Sequence, residues 1–120
     1  MKYLIVVAHG SRRQASNEEV EVLADKVAKK LPTDFSAVKV AFLELASPSI
    51  EEAIDNCYEE GASEVLIVPY FLSAGTHVAT DVPNEVEKTM AKWPDKKIEI
   101  APHIGSLDPM VDLIISVCPS

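Results

Sequence analysis

Basic residues are scarce in this 120-residue chain, where 11 Lys and Arg stand against 19 Asp and Glu for a formal net charge of −8. That balance argues against nucleic acid or an anionic membrane surface as a general partner. A small anionic ligand could still be held by a local basic cluster, and Arg12-Arg13 is the one basic pair beside a glycine turn. Cysteine is scarce as well. Cys57 and Cys118 are the only two, and their separation fits neither a zinc pattern nor a disulfide framework. Both read as small buried hydrophobes, in a reducing, cytoplasmic setting. Long hydrophobic runs are missing. The run Tyr3 to Ala8 is too short for a signal-peptide core, and no segment approaches the ~20 apolar residues of a transmembrane helix. A soluble, unexported protein is expected. The chain has no linker, internal repeat or low-complexity stretch, so its length suits one domain, residues 1–120. A hydrophobic fraction of 48% beside 25% charged residues is that of a globular protein.

What is present is an alternation of apolar runs and amphipathic stretches. Strand one covers about residues 2–8 and is nearly continuously apolar, as a strand covered on both faces should be. Ser16 and Glu19 have capping-box spacing, and Val20, Leu23, Ala24, Val27 and Leu31 follow at helical spacing until Pro32. Strand two is expected at Ala37–Leu43. Ser47 as N-cap and Pro48 as first residue open a second helix with Ile50, Ala53, Ile54 and Cys57 inside, closed by Gly61. Strand three is Glu64–Pro69. Residues 70–80 read as a long loop, of a length more often functional than idle in so small a domain. A third helix is expected from Val82 to Lys92, with Pro83 in its first turn and Val86 and Met90 inward. Strand four is Lys97–Ala101. Asp108 and Pro109 then open a last helix whose apolar side is Met110, Leu113, Ile114 and Val117. Alternating strands and helices imply right-handed crossovers and a parallel sheet. We expect an α/β three-layer sandwich with a four-stranded sheet in the flavodoxin-like order 2-1-3-4 and helices on both faces.

Ligands of such sheets bind at the carboxyl ends of the strands, near the point where the strand order reverses. Two histidines are expected there. His9 follows strand one, and His77 lies in the long loop after strand three. Histidine is the commonest metal ligand and moves protons near neutral pH. Gly10, Ser11, Arg12 and Arg13 follow His9 and make a strand-turn-helix entry suited to an anion, although a solvated loop histidine with a surface Arg pair reads equally well. Asp81 is either the N-cap of the third helix or a carboxylate that orients His77. Glu44, after strand two, is either an exposed loop charge or a third donor and base. His103, after strand four, reads as a substrate-side or structural residue rather than a ligand. Taken together, two imidazoles and a carboxylate on neighbouring strand ends suit a divalent first-row metal in an open site.

The motifs Ala8-His9-Gly10-Ser11-Arg12, Ala41-Phe42-Leu43-Glu44 with Ser47-Pro48-Ser49-Ile50, and Val68-Pro69-Tyr70-Phe71-Leu72 with Gly75, His77 and Asp81-Val82-Pro83 resemble those of the small class II chelatases. This is the short form of the CbiX-like sirohydrochlorin cobaltochelatase family, and the resemblance runs along nearly the whole chain. It implies a chelatase-like fold and ATP-independent insertion of a divalent metal into a tetrapyrrole, in cobalamin-type synthesis. Co²⁺ comes first, with Ni²⁺ or Fe²⁺ open, and the metal is substrate rather than a permanent cofactor. The resemblance assigns metal binding to His9 and His77 and places Glu44 near the site. It also implies a homodimer equivalent to a longer, two-lobed chelatase. The chain lacks the histidine- and cysteine-rich tail of some longer relatives, so no iron–sulfur cluster is expected.

Metal insertion requires the ring to dock, lose two N–H protons and take the metal from its protein ligands. Tyr70-Phe71-Leu72 would offer an apolar face to the ring, flanked by Ser73, Gly75 and Thr76. Ser11, Arg12 or Arg13 would meet its carboxylates, and a histidine or Glu44 would take a proton. Two rivals use the same residues. One is a non-catalytic metal carrier. The other is phosphoryl transfer through His9, against which stands Ala8 where histidine phosphatases usually place arginine.

Overall fold

Four strands pair in parallel in the computed structural model, which describes residues 1–119, though not the side chain of His77. They are Lys2–Ala8 (β1), Phe35–Phe42 (β2), Glu64–Pro69 (β3) and Lys97–Ile100 (β4), in the order β2-β1-β3-β4. This is the expected α/β sheet and the expected strand order. Val6 pairs with Val40 on one side and Val68 on the other, so β1 lies at the centre.

Side chains alternate between the two sheet faces. Tyr3, Ile5 and Val7 of β1, with Val65 and Ile67 of β3, point into the larger core. There they meet Ile50, Ala53, Ile54 and Cys57 of helix α2 (Ile50–Glu59) and Val82 and Val86 of helix α3 (Thr76–Met90). The other face receives helix α1 (Gln14–Ala28), which buries Asn17 and Ala24. Lys92 and Trp93 tie the end of α3 to α2, each with a hydrogen bond to the Asp55 carboxylate at 2.7 and 2.8 Å.

Burial pushes the Cys57 thiol up to about 12. A thiolate is the reactive form, so native protein should titrate one fast thiol with Ellman's reagent at pH 8, Cys118, and two after denaturation. Two fast thiols in the native state would mean that α2 is not seated as described.

Several local expectations are corrected. The first helix starts at Gln14, with Arg13 at its N-cap, and the Ser16–Glu19 box does not form. Ser16 is already helical, its N–H donating to the Arg13 carbonyl at 3.0 Å. The helix also ends before Leu31. The N-cap of α2 is Ser49, not Ser47, and it forms a complete box with Glu52. Pro48 is held back in the turn because its carbonyl accepts from Phe42 N–H, at 2.8 Å, as the end of β2 is paired off. The long loop shrinks to residues 70–75. Gly75, in an extended conformation, caps α3. His77 and Asp81 therefore lie in its first two turns, one turn apart, and Asp81 is not the cap. Pro83 sits inside the helix rather than opening it. The apolar stripe Val78, Val82, Val86 and Met90, spaced by four, packs on the core and holds the helix through the proline. Cys118 is exposed rather than buried.

The largest correction concerns the last helix, α4 (Pro109–Ser116). Pro109 opens it as expected, but Asp108 makes no side-chain cap and none of its residues is buried. Its substantial packing is on a single 3-10 turn, Ile104–Ser106.

Candidate functional site at the carboxyl edge of the sheet

β1 ends at Ala8, and the chain turns at once. The next strand to its side, β2, ends at Phe42. The two exits are laced together by Leu43 N–H donating to the Ala8 carbonyl at 2.9 Å and Glu44 N–H donating to the His9 carbonyl at 3.0 Å. This lacing places the side chains. His9 Nε2 stands 3.4 Å from Glu44 Oε1, and both side chains are about half exposed, 49% each. The backbone turns away through Gly10, whose φ of +94° is in the region that favours glycine. A Cβ there would collide with the Glu44 carbonyl oxygen. The glycine thus serves a close backbone approach that brings His9 and Glu44 together, as well as the turn itself.

The next residues are held by a side chain from the first turn of α1. Asn17, 6% exposed, clamps the turn. Its Oδ1 accepts from Ser11 N–H at 3.0 Å, and its Nδ2 donates to the Ser11 carbonyl at 2.8 Å. Ser11 Oγ in turn accepts from Arg13 N–H at 3.0 Å. The signal was available: Asn17 sits seven residues before Ala24 on the inward side of α1, where an amide needs a partner. Asn17→Ala would leave the part-buried Ser11 N–H and carbonyl without their partner, at about 1 kcal/mol or more. A thermal melt unchanged from wild type would remove this clamp from the fold. Arg12 and Arg13 are exposed and form no ion pair among the described residues.

β3 leaves the sheet beside β1. Tyr70 N–H donates to the Val7 carbonyl at 2.7 Å, so the β3 exit begins next to His9. The expected apolar platform of Tyr70, Phe71 and Leu72 does not form as one surface. Tyr70 turns to the α1 side, into a crevice of about 600 Å³ lined also by Ala15, Val22, Leu23 and Lys26. Phe71 packs against the core and lines a smaller, mostly apolar cavity of about 190 Å³ on the α3 side, with Val78, Ile100 and His103. Leu72 is 73% exposed. The period-two alternation of the strand simply continues into the loop and sends neighbours to opposite faces. Ser73, Gly75 and Thr76 are exposed on the same rim. His103 is half-buried beside Phe71, off the His9–Glu44 pair.

The loop has a second anchor. Gly105 N–H donates to the Phe71 carbonyl at 2.9 Å, and a Cβ on Gly105 would overlap the Leu72 carbonyl. The 3-10 turn is thereby locked to the loop that leads to His77. The His77 side chain lies outside the described residues, so its metal-binding assignment is not placed geometrically. Among the described residues no three His, Cys, Asp or Glu side chains gather as a metal site. What the fold brings together is a histidine-carboxylate pair on two strand ends, with a third strand end beside it that carries His77 two residues past Gly75.

Residues 3–118 match the CbiX family model. The chain belongs to the CbiX family. Its CbiX relatives include the sirohydrochlorin ferrochelatase of Priestia megaterium, 31% identical over 96% of this chain and 42% of the relative. They also include the sirohydrochlorin cobaltochelatase of Sulfolobus acidocaldarius, 33% identical over 92% of this chain and 85% of the relative. Among solved structures, a protein described as a cobalamin (vitamin B12) biosynthesis CbiX protein, from Marinobacter aquaeolei VT8, superposes with a TM-score of 0.81 at 30% identity. That match covers 97% of this chain and 92% of the other. The chain spans about half the length of several curated CbiX relatives that it matches.

Proposed function

We propose that this chain inserts a divalent metal into sirohydrochlorin without ATP, and that Co²⁺ is its metal. The observation that carries the reading is the His9–Glu44 pair at the carboxyl edge of a CbiX sheet. An imidazole half open to solvent and a carboxylate 3.4 Å away form a site that can take up a hydrated metal and give it up again. Few protein ligands leave coordination positions free for incoming ring nitrogens. Insertion releases two protons for each metal ion that enters the ring. His9, once its metal has moved on, or Glu44 beside it accepts one of them within hydrogen-bond reach. His77 supplies the second imidazole from the start of α3.

The choice of Co²⁺ rests on how fully the relatives are matched. Those named cobaltochelatases are matched over 57 to 85% of their length. Those named ferrochelatases are matched over only 38 to 48%. The fuller match to the cobaltochelatases supports Co²⁺. Two copies pairing would supply the bulk that the longer relatives carry in one chain.

The absorbance spectrum of sirohydrochlorin tests the reading, followed with Co²⁺, Ni²⁺ and Fe²⁺ separately. Acceleration over the protein-free rate, greatest with Co²⁺, is expected. No acceleration with any metal would leave a metal carrier in its place. The exposed Arg12 and Arg13 would meet the substrate's carboxylates, since charges beyond about 8 Å are largely screened at physiological salt and the global −8 then matters little at contact range. Arg12→Ala and Arg13→Ala should raise KM for sirohydrochlorin several-fold with kcat little changed. An unmoved KM in both would take them out of the substrate site.

A further inference from the structure

One cavity at the carboxyl edge of the sheet lies apart from the His9–Glu44 pair. It sits between the exits of β3 and β4 and the first turns of α3, with Phe71, Ala74, Val78, Val82 and Ile100 among its apolar walls. Its volume is about 190 Å³. That is room for roughly six waters, and well short of the ~300–1,000 Å³ of a pocket that takes a whole small molecule. A side group fits there, and a macrocycle does not. The one titratable side chain in the lining is His103. Its half-buried ring makes no hydrogen bond or ion pair among the described residues, although an imidazole always has an N–H to give. No Asp or Glu lines the cavity, in a chain of net charge −8. The backbone holds His103 in place. Its carbonyl accepts from Ser106 N–H at 3.0 Å and from Ser106 Oγ at 2.7 Å. Gly105, two residues on, is bonded to the Phe71 carbonyl, and Ala101 N–H donates to the Ile67 carbonyl at 2.8 Å. The cavity is therefore formed before anything enters it, and little ordering remains to be done on binding.

We propose that this cavity receives one carboxylate-bearing arm of the tetrapyrrole, its stem against Phe71 and Val78 and its carboxylate accepting a hydrogen bond from the His103 ring. The inference rests on the chelatase reading and deepens it. An acid arm has the form the cavity asks for, an apolar stem that ends in an anion. A metal ion does not fit, because a single imidazole among apolar walls offers it one ligand. Position agrees. In the order β2-β1-β3-β4 the β4 exit stands two strands from β1, about 10 Å from the His9 exit. The rim of a ring whose centre stands over His9 reaches that far. Arg12 and Arg13 then meet acid arms on the β1 side of the ring, and His103 meets one on the β4 side. Held at two edges, the ring cannot rotate over the metal, and its nitrogens are presented in one orientation.

Fluorescence titration of the metal-free full chain with sirohydrochlorin tests this, since it reads ring binding apart from insertion. His103→Ala should raise the dissociation constant about 10-fold or more, the loss expected for a hydrogen bond to a charged group. His103→Gln keeps an N–H donor and should recover most of that loss. Ala79→Leu, at an exposed position of α3 on the cavity wall, should fill the cavity and weaken ring binding several-fold. Circular dichroism melts check that the variants fold, and Co²⁺ affinity without the ring should be the same in all of them. In insertion assays KM should rise more than kcat falls. Wild-type ring affinity in His103→Ala would overturn the subsite and leave the chelatase reading in place. A lower Co²⁺ affinity in His103→Ala would overturn it too, by making His103 a metal ligand. A loss in His103→Ala that Ala79→Leu does not share would overturn the cavity as the seat of the arm. A wild type that binds sirohydrochlorin through His103 yet accelerates insertion of no metal would keep the subsite and overturn the insertion reading.

Discussion

His9→Ala should lower the rate of metal insertion by about 100-fold or more, the range for losing a ligand and proton acceptor at a reacting centre. Its effect on stability should stay within about 0.5 kcal/mol, because the side chain is half exposed. The two readings belong together. Many substitutions in a domain of this size lose activity by unfolding it. This one should lose activity while the thermal melt stays put, because the turn is held by backbone bonds from Leu43 and Glu44 and by the Asn17 clamp. Sirohydrochlorin absorbance with Co²⁺ supplies one number and circular dichroism the other. Retained activity would move the site away from β1. A collapsed melt would make His9 a structural residue. Glu44→Gln is the companion variant. It keeps the shape of the side chain and removes its charge, so a loss there reports the carboxylate itself.

Gly10→Ala should act in the opposite way, through the fold first. Two costs add at this position. A φ of +94° is outside what alanine adopts readily, and the new Cβ would strike a backbone carbonyl oxygen rather than a side chain that can swing aside. Relief requires the Glu44 turn to move, and with it the bonds that lace β1 to β2. The expected loss is about 3 kcal/mol or more, among the larger effects seen for single substitutions. For a domain of this length that is roughly a 10 °C fall in Tm or more. Activity should fall with it even at low temperature, because separating the two strand exits separates His9 from Glu44. A Gly10→Ala protein with the wild-type Tm would show that the close approach of the two turns is not needed.

The elements legible in the sequence were those whose signal is periodic. The continuous apolar runs of β1 and β3, the i, i+4 stripe of α2 and the alternation of strands with helices led to the right sheet and the right strand order. The helix starts were harder, because they depend on competition for hydrogen bonds. Ser47-Pro48 and Ser49-Glu52 both carry start signals, and the pairing of Phe42 N–H with the Pro48 carbonyl decided for the second. Pro83 looked like a first-turn proline. It lies inside α3 because Val78, already helical, has its place on the core. The candidate site divides in the same manner. His9, Glu44 and the β3 exit were visible as residue types after strands. Asn17 was legible only as an inward-facing amide in need of a partner, and the turn it clamps is named by the fold.

The sequence by itself determined the α/β class, the parallel order with β1 and β3 at the centre, the family, and the strand ends on which chemistry would sit. These follow from local hydrophobic period and from motif residues, which need no knowledge of what lies across the chain. Only the tertiary structure decided that His9 and Glu44 meet, that Tyr70 and Phe71 part to opposite faces, and that α4 finds no cover on its own sheet. Each of these depends on how two segments distant in sequence approach one another. That is set by packing and by backbone bonds between strand exits, of which neither segment alone carries a record.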